Sequence, residues 1–332
     1  MKQITLLATG GTIASVESAD GLAPGIRAQD LLKHLPSAGE DLVLRCKDVF
    51  SLDSSNIQPE EWRILAQAAY AALGESDAVV ITHGTDTMAY SAAALSFMLR
   101  NVGKPVVFTG SQLPLLHPMS DAPVNLNEAI AVARTAPPGV YVVFNHKIIR
   151  GNHAVKLRTT SFDAFESVNA LPVGYLDADG AHYHLPNGAQ PDAPFELCDQ
   201  IDPRVFLLKL MPGTAPAVFD WIAQAGLKGL VLEAFGLGGL HYIRRNLVDR
   251  LRMLSEKGVY TLVTTQCLYE KTNFSIYEVG RNVLSGHVFS GRDMTSEAAV
   301  AKLMWVLGDP ERRIHLLNQN VCGEMSDYEG CE

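Results

Sequence analysis

The sequence predicts an α/β protein built from two open, largely parallel-sheet α/β domains. Three observations carry that expectation. Short apolar runs alternate with helical patterns through both halves of the chain, as in parallel sheets covered on both faces. Three of the runs, residues 4–8, 78–81 and 106–108, end in turns of glycine and hydroxyl residues. The length of 332 residues exceeds what a single hydrophobic core usually sustains.

Residues 4–8 read as a buried strand running into Gly10-Gly11, with Thr9 before and Thr12 after. Two glycines permit a sharp turn and let a ligand approach the backbone closely. Open α/β sheets build sites at this carboxyl edge. Residues 21–25, Gly-Leu-Ala-Pro-Gly, read as a mobile surface loop. Residues 28–35 carry a short helical pattern, and residues 43–52 lead into Asp53-Ser54-Ser55-Asn56. Pro59-Glu60-Glu61 opens a helix in which Trp62, Leu65, Ala69 and Leu73 keep helical spacing, with Gly74 as its stop.

Residues 78–81 form the second predicted strand, ending in Thr82-His83-Gly84-Thr85-Asp86-Thr87. A helix over 88–101 follows, stopped near Gly103. Residues 106–108 repeat the plan and end in Thr109-Gly110-Ser111-Gln112. Residues 125–136 read as helix and 140–144 as strand. Residues 151–169 have mixed polarity without a clear period and read as loop with short elements.

A proline-rich polar stretch places an inter-domain linker at 186–203, between domains at 1–185 and 204–332. The second domain resumes the alternation, with strands at 205–210, 229–232 and 260–263. Helices at 215–224, 244–257, 295–307 and 310–321 complete it.

Composition narrows the function classes. Apolar content of 47% with 19% charged residues describes an ordinary globular protein. A net charge of −9 and a pI near 5.6 argue against nucleic acid or an anionic membrane as partner. No apolar run approaches a membrane span, and the N-terminus carries no signal-peptide pattern, so a cytoplasmic location is expected. Cys46, Cys198, Cys267, Cys322 and Cys331 are scattered without C-x-x-C spacing, which favours free thiols. The histidines offer no metal-ligand spacing, and no metal is expected.

Several residues are candidates for chemistry. Thr12 is the working nucleophile, with the Gly10-Gly11 backbone placed to aim N–H groups at a developing oxyanion. A phosphate-cradling turn is the alternative, but neither common phosphate-loop spacing is present. Asp86 would either cap the helix that follows or hold a substrate ammonium group, while Thr85 would relay a proton or position water. Lys156 is a solvated surface charge unless it is buried beside Thr85 and Asp86, where it would activate the site. His83, at a strand end, is assigned no catalytic role.

These pieces occur together in an arrangement that resembles the bacterial-type L-asparaginase (asparaginase/glutaminase) family, closest to its cytoplasmic type I branch. The carriers are Thr9-Gly-Gly-Thr-Ile-Ala14 and Ile81-Thr-His-Gly-Thr-Asp-Thr-Met-Ala-Tyr90. Asp53-Ser54-Ser55, Thr109-Gly-Ser-Gln-Leu-Pro114, Ser120-Asp121 with Asn125-Leu126, Arg150-Gly-Asn152, Thr265-Gln-Cys267 and Asp293-Met-Thr-Ser-Glu297 extend the likeness over nearly the whole chain.

The resemblance implies a larger N-terminal Rossmann-like domain and a smaller C-terminal flavodoxin-like one. It implies hydrolysis of L-asparagine to L-aspartate and ammonia, with minor glutaminase activity. Thr12 would form a β-aspartyl ester, supported by Thr85, Asp86 and Lys156. Ser54 would bind the substrate α-carboxylate and Asp86 its α-ammonium, with Asp53 and Ser55 lining the pocket. No cofactor is implied, and the assembly would be a homotetramer of intimate dimers or a homodimer.

Three departures stand out. Leu22 falls about where many relatives carry a loop tyrosine. Gly236-Leu-Gly-Gly239 replaces a Gly-x-Gly-Asn pattern tied to an inter-subunit contact. Glu233 aligns with an arginine that some type I enzymes use in an activating asparagine site, so that regulation is expected to be absent or altered. Two rival readings are the glutaminase module of a tRNA-dependent amidotransferase and a non-catalytic nucleotide-binding α/β protein. The amidotransferase module normally carries an extra N-terminal domain, whereas this chain begins at its first strand.

Overall fold

The computed structural model describes residues 1–18, 21–33, 41–184, 193–274 and 286–326, with backbone alone at 17–18 and 21–24. The chain divides into two compact units, Met1–Asp199 and Gln200–Glu332.

In the first unit, β1 (Lys2–Gly10) leads through a 3-10 turn at Thr12–Ala14 into β2 (Ser15–Ser18) and β3 (Gly21–Pro24). Helix α1 (Ala28–Leu32) precedes β4 (Leu42–Leu52), and α2 (Pro59–Glu75) precedes β5 (Ala78–Thr82). Pro59 sits in the first turn of α2, and Gln58 and Glu61 form a capping box that satisfies its first N–H groups.

Helix α3 (Met88–Met98) is buried on nearly every side, as its run of alanines and apolar residues requires. A short β6 (Leu99–Arg100), β7 (Pro105–Thr109), α4 (Ala122–Thr135) and β8 (Gly139–Phe144) follow. The unit is completed by β9 (Lys147–Arg150), β10 (Ala154–Lys156), β11 (Phe165–Ser167), β12 (Gly174–Asp177), β13 (Gly180–Tyr183) and β14 (Glu196–Leu197).

Eight of these strands form one sheet in the order β13-β12-β9-β8-β7-β5-β1-β4. From β4 to β8 every neighbouring pair is parallel, and β9, β12 and β13 add an antiparallel margin. The chain leaves β1 for β4 on one side and then returns to β5 on the other. That reversal opens a crevice beyond the carboxyl ends of β1 and β5, which is where doubly wound sheets bind ligands. Both strands are buried along their central residues, so the turns at their ends start from fixed positions.

The second unit holds a four-stranded parallel sheet in chain order: β15 (Val205–Lys209), β16 (Gly229–Ala234), β17 (Tyr260–Thr265) and β18 (Val288–Ser290). Helices α5 (Ala217–Gln224) and α6 (Leu247–Glu256) bury Phe219, Ile222, Leu247, Leu251 and Leu254 in its core. The helix Ser296–Gly308 starts at Thr295, whose hydroxyl accepts the Ala298 N–H.

Several expectations are corrected. The segment 21–25 is not an irregular loop, because Gly21–Pro24 pairs antiparallel with Ser15–Ser18. Pro24 ends that strand, where its missing N–H costs no ladder bond. The helix predicted over 88–101 stops at Met98, where Leu99–Arg100 turns to pair with Glu196–Leu197. The helix predicted over 310–321 is α-helical only over Pro310–Arg313 and tightens into a 3-10 turn over Ile314–Asn318.

Of the predicted linker at 186–203, 193–199 belongs to the first unit, 200–203 to the second, and 186–192 lies outside the described residues. Among the described residues no helix is long and apolar enough to cross a membrane, and no group of three metal-ligating side chains occurs. Among the described residues Cys46, Cys198, Cys267 and Cys322 form no disulfide, while Cys331 lies outside the described residues.

Candidate active site

The turns after β1, β4 and β5 meet at the crevice, and missing side chains let them meet. Gly11 has φ +76°, and a Cβ there would lie 2.3 Å from the Gly84 nitrogen. A Cβ on Gly84 would in turn lie 2.6 Å from Ser54 Oγ. Only glycine fits such backbone contact, so Thr12, Ser54 and Thr85 are carried on turns packed directly together.

Backbone bonds fix these turns. The Gly11 N–H donates to Leu52 O at 2.9 Å, and Ser15 Oγ donates to Gly11 O at 2.9 Å. The Gly11 amide is therefore committed to Leu52, which corrects the expectation that it faces an oxyanion. Thr9 Oγ1 donates to Thr82 O at 2.9 Å, and Thr87 Oγ1 donates to Ser54 O at 2.8 Å. The Thr9 and Thr87 hydroxyls thus tie neighbouring turns together.

Lys156 comes from outside this cluster of turns. It ends β10, which pairs antiparallel with β11 in a separate two-stranded sheet. Its Nζ donates to Thr85 Oγ1 at 2.7 Å and to Asp86 Oδ1 at 2.6 Å. The Lys156 side chain is 16% exposed while that of Asp86 is 63% exposed, so the pair points from the interior towards solvent. Lys156 is not a free surface charge.

Asp86 does not cap α3: the N-cap position is Thr87, and no side chain makes a cap bond there. The carboxylate is spent on Lys156 and remains open to a second partner.

Ser54 is buried, and the carboxylate of neighbouring Asp53 accepts both the Ser55 hydroxyl at 2.6 Å and the Ser55 N–H at 2.8 Å. Those two bonds hold the Asp53 carboxyl below its ordinary range, the hydroxyl contributing most. Asp53 and Ser55 thereby brace the 3-10 turn Ser54–Asn56 that presents Ser54.

His83 is fully buried, and burial pulls its pKa down to about 4 despite a bond to the Gly84 carbonyl. The neutral ring uses Nδ1–H to donate to Gly84 O at 2.7 Å, leaving it a structural brace of the Thr85 turn.

The residues singled out from the sequence do not all gather here. Leu22, where many relatives carry the loop tyrosine, lies on β3, and its side chain is outside what the structure describes. Glu233, in the second unit, ends β16, where Ser296 Oγ donates to Glu233 Oε1 and Lys209 Nζ stands 3.6 Å away. Gly236–Gly239 closes a tight turn in which Phe235 and Gly239 bridge. One residue near the cluster stands in a motif quoted from the sequence but is given no role there. Gln112 follows the third glycine-and-hydroxyl turn, and its Oε1 lies 3.4 Å from Thr85 Oγ1.

Comparison with known proteins identifies the family. The asparaginase N-terminal family model matches residues 3–188, and the glutaminase/asparaginase C-terminal domain matches residues 204–315. An L-asparaginase of Thermococcus kodakarensis is 40% identical over 98% of this chain and 99% of its own length. A glutamyl-tRNA(Gln) amidotransferase component of Pyrococcus abyssi is 35% identical over 99% of this chain and 78% of its own length. The structure of L-asparaginase I from Vibrio cholerae superposes with a TM-score of 0.86 at 32% identity, covering 98% of this chain and 99% of that one. Two matched domains and a full-length relative leave one assignment: the chain belongs to the asparaginase family.

Proposed function

We propose that the protein is an L-asparagine amidohydrolase that uses Thr12 as its nucleophile. One observation carries the reading: Lys156 bridges Thr85 and Asp86 on a turn whose backbone touches that of Gly11-Thr12. A solvated lysine has no need of such a place, and a nucleotide-binding turn has no need of the bridge.

In the first step Thr12 Oγ1 bonds to the side-chain amide carbon of asparagine. The C–N bond breaks, the hydroxyl proton leaves with the amine as ammonia, and a β-aspartyl ester remains. In the second step water cleaves the ester, releasing aspartate and restoring the Thr12 hydroxyl. Thr85 and Lys156 support the attack and the water step through their shared hydrogen bond, and Asp86 holds Lys156 in place. The open side of the Asp86 carboxylate receives the substrate α-ammonium, and Ser54 receives the α-carboxylate. Asp53 and Ser55 line the same pocket and brace the Ser54 turn. No cofactor enters either step.

The sister reading as an amidotransferase glutaminase module is favoured by the likeness to the Pyrococcus abyssi protein, and differs in its amide donor. One methylene is worth roughly 1–3 kcal/mol in a pocket, so the two amides separate by kinetics rather than by motif. The protein works as a homotetramer of intimate dimers or a homodimer in the cytoplasm.

The test is ammonia release from asparagine and from glutamine by wild type, Thr12→Ala and Thr85→Ala. Loss of turnover in both variants with asparagine preferred is expected. Full activity in Thr12→Ala overturns the nucleophile assignment.

A further inference from the structure

Gln112 sits between two parts of the catalytic cluster. Its Oε1 faces Thr85 Oγ1 at 3.4 Å, and its Nε2 donates to Ser161 O at 2.9 Å, with Arg158 O at 3.5 Å. Its own N–H is fixed by the Asp121 carboxylate at 3.0 and 3.1 Å. Residues 158–161 belong to the turn that joins β10 to β11, directly after Lys156. The far side of that turn is held by charge: Arg158 Nη1 meets Asp163 and Glu166, and Lys147 Nζ lies 2.6 Å from Asp163 Oδ1. Gln112 supplies the grip on the side facing the crevice.

The amide can be held only one way round. Two backbone carbonyls face Nε2, so turning the amide over would set oxygen against oxygen. Gln112 is therefore an obligate acceptor towards Thr85. Thr85 in turn takes a hydrogen bond from Lys156, which leaves its single O–H to be donated elsewhere. The acceptor given to it within the protein is Gln112 Oε1.

We propose that Gln112 is a positioning residue for the asparaginase reaction: it orients the Thr85 hydroxyl and anchors the turn that follows Lys156. This rests on the function proposed above. Gln112 acts through Thr85 and Lys156, so its loss falls on turnover while asparagine binding by Ser54 and Asp86 persists.

Glutamate at this position provides the discriminating variant. An ionised carboxylate would face the Ser161 and Arg158 carbonyls with no proton to offer them. A protonated carboxyl presents O–H to Ser161 and C=O to Thr85, as the native amide does. The Gln112→Glu variant should therefore recover activity as pH falls, whereas Gln112→Met lacks both groups at every pH.

The experiment measures ammonia release from asparagine between pH 5 and pH 9 for wild type, Gln112→Met, Gln112→Glu and Thr85→Ala. Gln112→Met is expected to lower kcat roughly tenfold, the worth of about one hydrogen bond in the transition state, with KM little changed. The ratio of Gln112→Glu to wild-type kcat is expected to climb as pH falls, while the Gln112→Met ratio stays flat. Wild-type kcat in Gln112→Met, or a Gln112→Glu ratio that ignores pH, overturns the inference alone. A wild-type protein that releases no ammonia from either amide overturns the functional reading, and this inference with it.

Discussion

Lys156 Nζ stands 2.7 Å from Thr85 Oγ1, although 71 residues separate the two in the chain. The contact exists because β10, paired with β11 in a two-stranded sheet of its own, ends beside the turn that follows β5. Lys156→Met removes the ammonium and keeps most of the stem. The expected result is a fall in kcat of roughly 10²–10⁴-fold, the usual worth of a group that assists proton transfer. The melting temperature should stay close to wild type, since methionine keeps the mostly buried stem of Lys156 packed and leaves only the 63% exposed Asp86 carboxylate, already in contact with solvent, without its partner. Ammonia release and a thermal melt on the same preparation check both halves, and near-normal turnover would return Lys156 to a surface role.

Gly84 and Gly11 touch, yet substituting each should fail differently. Alanine at Gly84 places Cβ 2.6 Å from Ser54 Oγ and 2.7 Å from Ser54 Cβ. The small Ser54 side chain has to move, and with it the proposed carboxylate contact. Gly84→Ala is therefore expected to raise KM for asparagine by about tenfold, the worth of roughly one charge-assisted hydrogen bond. Alanine at Gly11 meets Gly84 backbone and needs φ near +76°, so no side chain can give way. Gly11→Ala should yield little folded protein. Steady-state kinetics of Gly84→Ala decide the first point, and an unchanged KM removes Ser54 from the binding site.

The turns that make this crevice were legible because apolar runs and glycine–hydroxyl clusters are local signals. Residues 78–81 and 106–108 needed only their neighbours to be read as strands. Gly174–Asp177 did not announce itself: it is four residues long, alternates buried with exposed positions and pairs antiparallel at the sheet margin. Lys156 is a third kind. Nothing within ten residues of it points to Thr85, because the contact is made by tertiary packing of a three-residue strand. The role proposed for it was readable only through resemblance to a family. Gln112 fell between these cases, inside a quoted motif yet with its partners spread over residues 85, 121 and 161.

His83 makes acid stability measurable at one residue. The ordinary imidazole value is near 6.5, and burial lowers it to about 4 in the folded protein. Between those values the unfolded chain binds a proton that the folded chain refuses. Stability is therefore lost as pH falls from about 6.5 to about 4, and the group contributes no slope above that window. The gap corresponds to roughly 3 kcal/mol. His83→Asn, which cannot titrate, should show a shallower decline in urea midpoint across the same pH range. Parallel urea titrations from pH 7 to pH 4 would settle it, with identical slopes for the two proteins counting against a neutral buried ring.

The second unit closes on a buried ion pair whose two members should depend on each other. Lys302 Nζ lies 2.6 Å from Glu324 Oε1, and both side chains are fully buried. Burial pulls the Lys302 ammonium below its ordinary pKa, and Glu324 pulls it back. The same carboxylate accepts the N–H groups of Val321 and Cys322, which ties the segment after Asn318 to the helix Ser296–Gly308. Glu324→Gln keeps an acceptor for those amides but leaves the ammonium uncompensated, and should cost about 3–5 kcal/mol. Adding Lys302→Met removes the stranded charge. The double variant should then be more stable than Glu324→Gln alone, even though it carries one more substitution in the core. Urea midpoints for the two single variants and the double form a closed cycle. Strictly additive losses would mean that the two side chains do not depend on each other.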